Sequence, residues 1–280
     1  MVLSTPPDTI RLDASLERLQ ALVRQHPRLL VLTGAGISTD SGIPGYRDAD
    51  GQWRGNKPIQ YKDFVSSHAT RQRYWARSMA GWPLMSRAQP NAAHLAVAGL
   101  QRAGQVEGLV TQNVDGLHQR AGSTDVIELH GSIGSVVCLE CRRRYPRADI
   151  QARLERDNPG FIGGTAAPAA DGDAHVERED LHTLRVPVCT DCAGMLKPDV
   201  VFFGESVPRE RVDAVRQALD HADMLLVVGS SLMVYSGYRF CLHAAQLGKP
   251  VVAINLGRTR ADDLLTLKVA APCASVLAAL

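Results

Sequence analysis

Two cysteine pairs are the plainest chemical signal in this chain. Cys138-Leu139-Glu140-Cys141 and Cys189-Thr190-Asp191-Cys192 are both Cys-x-x-Cys. Two such knuckles suit four thiolates around one tetrahedral zinc ion. Four sulfurs fill the coordination shell, so a zinc held there has no open position for substrate and is structural. Disulfides would need an oxidising compartment. Residues 1–13 lack the basic-then-apolar pattern of an export signal, and the expected location is the cytoplasm. Cys241 and Cys273 stand singly.

Other residues could act on a ligand. Gln112, Asn113 and Asp115 offer amide donors, acceptors and a carboxylate within four residues, which suits the hydroxyls of a ribose. The same residue types also make turns. His130 follows a short apolar run and precedes Gly131, a plausible place for a general base near neutral pH. His118 rivals it by spacing, and His94, on an expected helix, is a weaker rival. Ser230 and Ser231 after Gly229 fit phosphate or ribose contacts at a helix start, or simple capping.

A Gly-rich segment, Thr33-Gly34-Ala35-Gly36-Ile37-Ser38, ends the apolar run 29–32. Without a Cβ at Gly34 and Gly36, backbone N–H groups can approach a phosphate. The third glycine of the usual dinucleotide fingerprint is missing, with Thr39 at that offset. The rigid turn Gly42-Ile43-Pro44-Gly45 then delivers Tyr46 and Arg47 towards the same loop, and Arg47 could hold a phosphate or a carboxylate.

The elements that must position these groups read as alternating strands and helices. Strand-like runs cover 29–32, 106–111, 126–129, 224–228 and 251–254, with helical patterns at 14–25 and 238–247. Each polar cluster falls just past the C-terminal end of a strand, the edge where open parallel sheets bind ligands. The expected class is α/β, a Rossmann-like parallel sheet with helices on both faces. Residues 49–90, rich in Arg, Trp and Tyr with a helical pattern at 63–79, do not fit that sheet, nor does the cysteine block 135–199. Within the block, 158–180 is rich in Gly, Ala, Pro and acidic residues and reads as a loop. The chain has 280 residues, 45% hydrophobic and 21% charged, an ordinary globular balance. A net charge of +2 is too weak to argue for nucleic acid or a membrane surface, and no apolar run approaches the ~20 residues of a membrane span.

Taken together, Gly34-Ala35-Gly36-Ile37-Ser38 with Ser41-Gly42-Ile43-Pro44, then Thr111-Gln112-Asn113-Val114-Asp115-Gly116-Leu117-His118, His130-Gly131, both cysteine pairs, Phe203-Gly204-Glu205, Gly229-Ser230-Ser231 and Asn255-Leu256-Gly257 resemble the sirtuins, NAD-dependent protein lysine deacylases. The match runs in the family's order from about residue 30 to the C-terminus. Gly45-Tyr46-Arg47 and the run from Arg71 to Arg77 look most like the class II branch.

The resemblance implies an NAD-binding Rossmann-like domain from 1–48, 91–134 and 200–280. A helical module, 49–90, and a zinc module, 135–199, would form the small domain. It implies NAD as co-substrate, one structural zinc on Cys138, Cys141, Cys189 and Cys192, and an acyl-lysine peptide as partner. Gly34, Ala35, Gly36, Ile37, Tyr46, Arg47, Gln112, Asn113, Val114, Asp115, Gly229, Ser230, Ser231, Asn255, Leu256, Gly257 and Cys273 would contact the dinucleotide. Most members have Phe where this chain has Tyr46. His130, Asn113 and Asp115 would be catalytic, with His130 the general base. Phe203, Gly204 and Glu205 would meet the peptide as an added strand. Tyr74 and Arg77 have the Tyr-x-x-Arg spacing that resembles the pair reading an acidic acyl group, although such neighbours are commonplace on a helix. Two alternatives keep the NAD site: a protein mono-ADP-ribosyltransferase and a non-catalytic NAD or ADP-ribose sensor. A hydride-transferring dehydrogenase fits poorly, because no acidic residue closes a second strand to hold the adenine ribose.

Overall fold

The computed structural model describes residues 7–48, 50, 52, 58–161 and 180–280, with side chains from residue 12 onward. Most of the segment 158–180 therefore lies outside the described residues, as do 49, 51 and 53–57 of the 49–90 region.

Near-continuous apolar runs bury on both faces of a parallel sheet. Strands β1 (Leu29–Thr33), β7 (Met224–Val228) and β8 (Val251–Ile254) are buried along their whole length. With β2 (Val106–Thr111), β3 (Val126–Glu128) and β9 (Leu267–Val269) they make a six-stranded sheet in the order β3-β2-β1-β7-β8-β9. Every pairing in it is parallel. Alternate residues feed two cores. Leu29, Val31, Leu226 and Val252 face one, and Leu30, Leu32, Leu225 and Val251 face the other. Helices α1 (Pro7–Gln25), α4 (Ala92–Arg102) and α9 (Cys273–Leu277) cover the first core. Helices α7 (Arg209–His221) and α8 (Tyr235–Gln246) cover the second. The expected strands recur within one residue at each end; α1 and α8 begin earlier than the expected 14 and 238.

Strand order reverses between β1 and β7, and ligands of open α/β sheets bind at that reversal. The register makes the point sharper. Thr33 pairs with Thr111 on one side and Val228 on the other, so the three strands end level. The loops starting at Gly34, Gln112 and Gly229 therefore leave the sheet side by side.

A second, three-stranded antiparallel sheet has β4 (Gly131–Cys138) between β5 (Arg144–Pro146) and β6 (Leu196–Val200). It shares one core with α2 (Tyr61–Ser66), α3 (His68–Arg87) and α6 (Arg147–Asp157): Phe64, Trp75 and Met79 pack with Val136, Ile150 and Leu196. The helical and cysteine-bearing segments are thus one packing unit. Asn158 is held to Arg185: its Nδ2 donates to the Arg185 carbonyl (3.2 Å) and its Oδ1 accepts from the Arg185 N–H (2.6 Å). Among the described residues no helix is long and apolar enough to cross a membrane.

Candidate active site

A cavity of about 960 Å³ opens where the strand order reverses, at the large end for small-molecule sites. Of the expected site residues, Gly34, Ala35, Gly36, Tyr46, Arg47, Gln112, Asn113, Val114 and His130 line it, as do Phe203, Gly204, Glu205, Gly229, Ser230, Ser231, Asn255, Leu256 and Gly257. Ile37, Asp115, Cys273, Tyr74 and Arg77 are not on its wall.

The glycine loop is built for a different reason than the sequence suggests. The N–H groups of Gly34 and Gly36 already donate to the carbonyls of Val228 (3.1 Å) and Gly229 (2.7 Å). A Cβ on Gly34 would come 2.7 Å from the Ser230 Cβ, and one on Gly36 would come 2.8 Å from the Gly229 carbonyl oxygen. These glycines let the β1 and β7 loops touch; their own amides are not open to a phosphate.

Asn113 is held by the layer beneath it. Its Nδ2 donates to the Gly34 carbonyl (3.1 Å) and to Ser38 Oγ (3.0 Å), and its backbone N–H donates to Thr111 Oγ1 (3.1 Å). With both amide hydrogens engaged, Asn113 offers a ligand its carboxamide oxygen. Ser38 Oγ–H donates to Asp115 Oδ2 (2.8 Å), and Asp115 Oδ1 accepts the Leu117 N–H (2.9 Å) at the start of α5 (Leu117–Arg120). Asp115 thus acts on the site through Ser38 and Asn113. Gln112 Nε2 bridges the β1 and β7 loops, donating to the Thr33 carbonyl (3.2 Å) and Ser230 Oγ (2.8 Å).

The three candidate histidines part company here. His94 and His118 are fully buried, rings edge to face with centroids 5.0 Å apart, and neither lines the cavity. His94 Nδ1 accepts the Asn91 N–H (3.3 Å), so in the neutral ring Nε2 carries the proton, facing Ser38 Oγ at 3.4 Å. His118 Nε2 meets Thr33 Oγ1 at 2.9 Å; Thr33 Oγ1 itself donates to Thr111 Oγ1, so the ring is the donor. His118 Nδ1 is then a buried lone pair without a hydrogen-bond partner. Burial pushes His94 down to about 4 and His118 down to about 3.

His130 is half-buried on the cavity wall. Its Nδ1 lies 2.9 Å from the Gln112 carbonyl, which can only accept, so Nδ1 carries the proton. Nε2 is then the basic nitrogen, and Ser236 Oγ–H donates to it at 2.7 Å. Burial lowers the pKa of His130, the Gln112 bond opposes this, and the charges of Arg211 and Arg239 lower it further. Ser236, in the first turn of α8, also lines the cavity. Sequence reasoning missed it, because a serine at a helix start signals no more than a helix boundary.

Glu205 faces inward: its Oε2 accepts from the Phe202 N–H (2.9 Å) and from Lys197 Nζ (3.1 Å). It fixes the turn that presents Phe203 and Gly204. Tyr74 is buried in an aromatic cluster, edge-on to Phe64 and Trp75 and tilted against Phe202 at 5.3 Å. Cys273 Sγ faces the Ile254 carbonyl at 3.9 Å.

The cysteines converge as expected. Their four sulfurs all lie within 4.8 Å of one another, with Cys138–Cys192 at 3.5 Å and Cys141–Cys189 at 3.6 Å. Tetrahedral Zn–S bonds of about 2.3 Å place sulfurs about 3.8 Å apart, so the cluster fits zinc. The knuckles are built alike: Arg142 and Ala193, each following the second cysteine, adopt left-handed φ of 64° and 55°. Each donates its N–H to the carbonyl of the first cysteine, at 3.1 and 3.0 Å.

The model of the Sir2 family matches residues 34–236. The chain belongs to the Sir2 family. It is 54% identical over 270 residues to an NAD-dependent protein deacetylase of Xanthomonas campestris pv. campestris (strain 8004), covering 96% of this chain and 92% of that protein. Identity is 55% to the NAD-dependent protein deacetylase of Bordetella bronchiseptica, covering 95% and 98%. Among solved structures, a Sir2–p53 peptide–NAD+ complex superposes with a TM-score of 0.76 at 31% identity, covering 94% of this chain and 95% of that one. A Sir2 bound to a propionylated peptide gives 0.73 at 31% identity, covering 94% and 95%. The sirtuin sheet, cleft and four-cysteine cluster are therefore all present in this chain.

Proposed function

We propose that this sirtuin is an NAD-dependent protein lysine deacylase that moves the acyl group to ADP-ribose and releases nicotinamide. The observation that carries the reading is the His130 tautomer. One nitrogen is fixed on a backbone carbonyl, and the other presents a lone pair at the cavity wall.

NAD is the co-substrate, taken between the β1 and β7 loops, with Gln112 and Asn113 at its ribosyl–nicotinamide end and Asn255 to Gly257 at the other. The Asn113 oxygen faces the positive charge that develops on the ribose as nicotinamide leaves. The acyl oxygen takes the vacated ribose carbon. His130 Nε2 then accepts a proton from a ribose hydroxyl, whose oxygen attacks the acyl carbon. The C–N bond breaks, the lysine amine leaves taking a proton, and water adds to the acyl carbon to free O-acyl-ADP-ribose. Ser236 Oγ–H holds the Nε2 lone pair until that hydroxyl replaces it. The peptide adds as a strand along Phe203-Gly204-Glu205 through backbone hydrogen bonds. The described residues of 1–48, 91–134 and 200–280 form the NAD-binding domain and the remaining described residues the small domain. Zinc on the four thiolates staples the small sheet, and the cytoplasm is the compartment that keeps those thiols reduced.

Mass spectrometry of an acyl-lysine peptide incubated with NAD tests the reading. Free lysine, nicotinamide and O-acyl-ADP-ribose should form in equal amounts. ADP-ribose attached to a protein side chain would make the enzyme a mono-ADP-ribosyltransferase. No nicotinamide release across an acyl panel would make it a sensor. Ranking acetyl, succinyl, glutaryl-type, lipoyl and long-chain peptides by rate would fix the acyl class, including any preference served by Arg77.

A further inference from the structure

A second pocket, of about 200 Å³, opens beside the cleft and shares Val200, Val201, Glu205 and Ser206 with its wall. It is smaller than a typical cofactor site and suits one side chain. Four cations border it, brought in by separate elements: Arg142 from the first cysteine knuckle, Arg144 from β5, Lys197 from β6 and Arg211 from the first turn of α7.

Two of the four are neutralised. Arg144 is ion-paired with Asp199. Lys197, only 4% exposed, donates to Glu205 at 3.1 Å and to the Val200 carbonyl at 2.5 Å. Among the described residues, no carboxylate lies within ion-pair distance of Arg142 or Arg211. Both guanidiniums nevertheless sit close enough to Lys197 to disfavour its charged form, in addition to its burial. Arg211 also acts on His130, which puts it at the seam between pocket and cleft. Like charges gathered over a concave surface repel one another, and an anion placed among them relieves the repulsion. The planar fork of a guanidinium matches a carboxylate.

We propose that this pocket takes a carboxylate side chain of the substrate protein, held by Arg142 and Arg211, so that the enzyme prefers acyl-lysines flanked by an acidic residue. This rests on the deacylase reading, which lays the peptide along residues 203–205. In an added strand, every second side chain points the same way at about 7 Å intervals, so a residue near the acyl-lysine reaches the pocket while the acyl group enters the cleft.

The test is a set of paired acyl-lysine peptides carrying Glu or Gln at each position from three before to three after the lysine. Dissociation constants are measured by calorimetry alongside turnover. At one position the Glu peptide should bind about tenfold more tightly than its Gln partner and show the same ratio in kcat/KM. That ratio should shrink with added salt. It should fall in Arg211→Gln and in Arg142→Gln, and approach one in the double variant. Equal binding of Glu and Gln peptides at every position would overturn the proposal, as would a Glu preference that survives the double variant. A Glu preference in binding with no turnover of any peptide would uphold the pocket and refute the deacylase reading. Normal turnover with no preference would do the reverse.

Discussion

The cavity wall and the layer beneath it both contain histidines shielded from water, yet the two regions use the same side chain in opposite ways. Beneath the cavity, His94 hands one nitrogen to a backbone N–H and the other to Ser38, while His118 points a proton at Thr33 and seals its remaining lone pair away. Every partner there belongs to the protein. On the wall, His130 fixes one nitrogen on a backbone carbonyl, but its other partner is a serine hydroxyl at the edge of open space. Burial lowers the pKa in both regions. On the proposed reading, what separates a base from a brace is whether one nitrogen keeps a partner that a substrate can replace.

Removing what the lower layer holds in place should have the largest effect. Asn113→Ala takes away the carboxamide oxygen proposed to face the reacting ribose, and nicotinamide release should fall about 100-fold, the scale seen when one preorganised polar group is lost. A steady-state assay of nicotinamide, with unfolding followed by circular dichroism, separates this from misfolding. A change of only a few-fold would mean that the lower layer does not serve the chemistry.

The next test asks whether the lower histidines are structural. Their folded-state pKa values lie below the ordinary 6.5 of an unfolded histidine. The unfolded chain therefore takes up protons that the native state refuses. Their stabilisation is full above pH 6.5 and is lost as pH falls towards about 4 and about 3. For His118 the loss between pH 6.5 and 5 is on the order of 2 kcal/mol. Urea unfolding at pH 7.5 and pH 5 measures it. In His118→Asn the pH slope should flatten by about one proton, while turnover per folded molecule stays within a few-fold. A collapse of turnover without loss of stability would instead make His118 part of the reaction.

The smallest effect belongs to Ser236. Its hydroxyl donates to the unprotonated Nε2 and so favours neutral His130. In the wild type, the acid limb of kcat/KM should inflect below 6.5, since burial already lowers His130. Ser236→Ala should move that limb to higher pH with only a few-fold loss at the optimum, and Ser236→Thr should restore it. An unchanged limb would mean that the hydroxyl merely fills space.

These distinctions were only partly legible in the sequence. The strands of the large sheet announce themselves because β1, β7 and β8 are buried on both faces and so read as unbroken apolar runs. The four cysteines were equally clear, since spacing alone implies their convergence. The glycines at 34 and 36 were found for an incomplete reason: a local reading sees room for a phosphate, whereas the close neighbour is the loop at Gly229, nearly two hundred residues away. His118 and His130 follow similar short elements, and only the family resemblance separated them. Their difference is one of depth, set by tertiary packing. The three-residue spacing of Tyr74 and Arg77 says nothing about which way α3 turns its faces, and Tyr74 turned into the aromatic core. Arg142 and Arg211 lie far apart in the chain and share no motif, so nothing local links them to one pocket.

The central claim is that His130 acts after nicotinamide has left, and His130→Ala tests it most directly. Exchange of labelled nicotinamide into NAD, driven by an acyl-lysine peptide, should persist in this variant, while free-lysine formation falls at least ~100-fold with the fold intact. Near-wild-type deacylation, or loss of exchange and deacylation in equal measure by a folded variant, would contradict it.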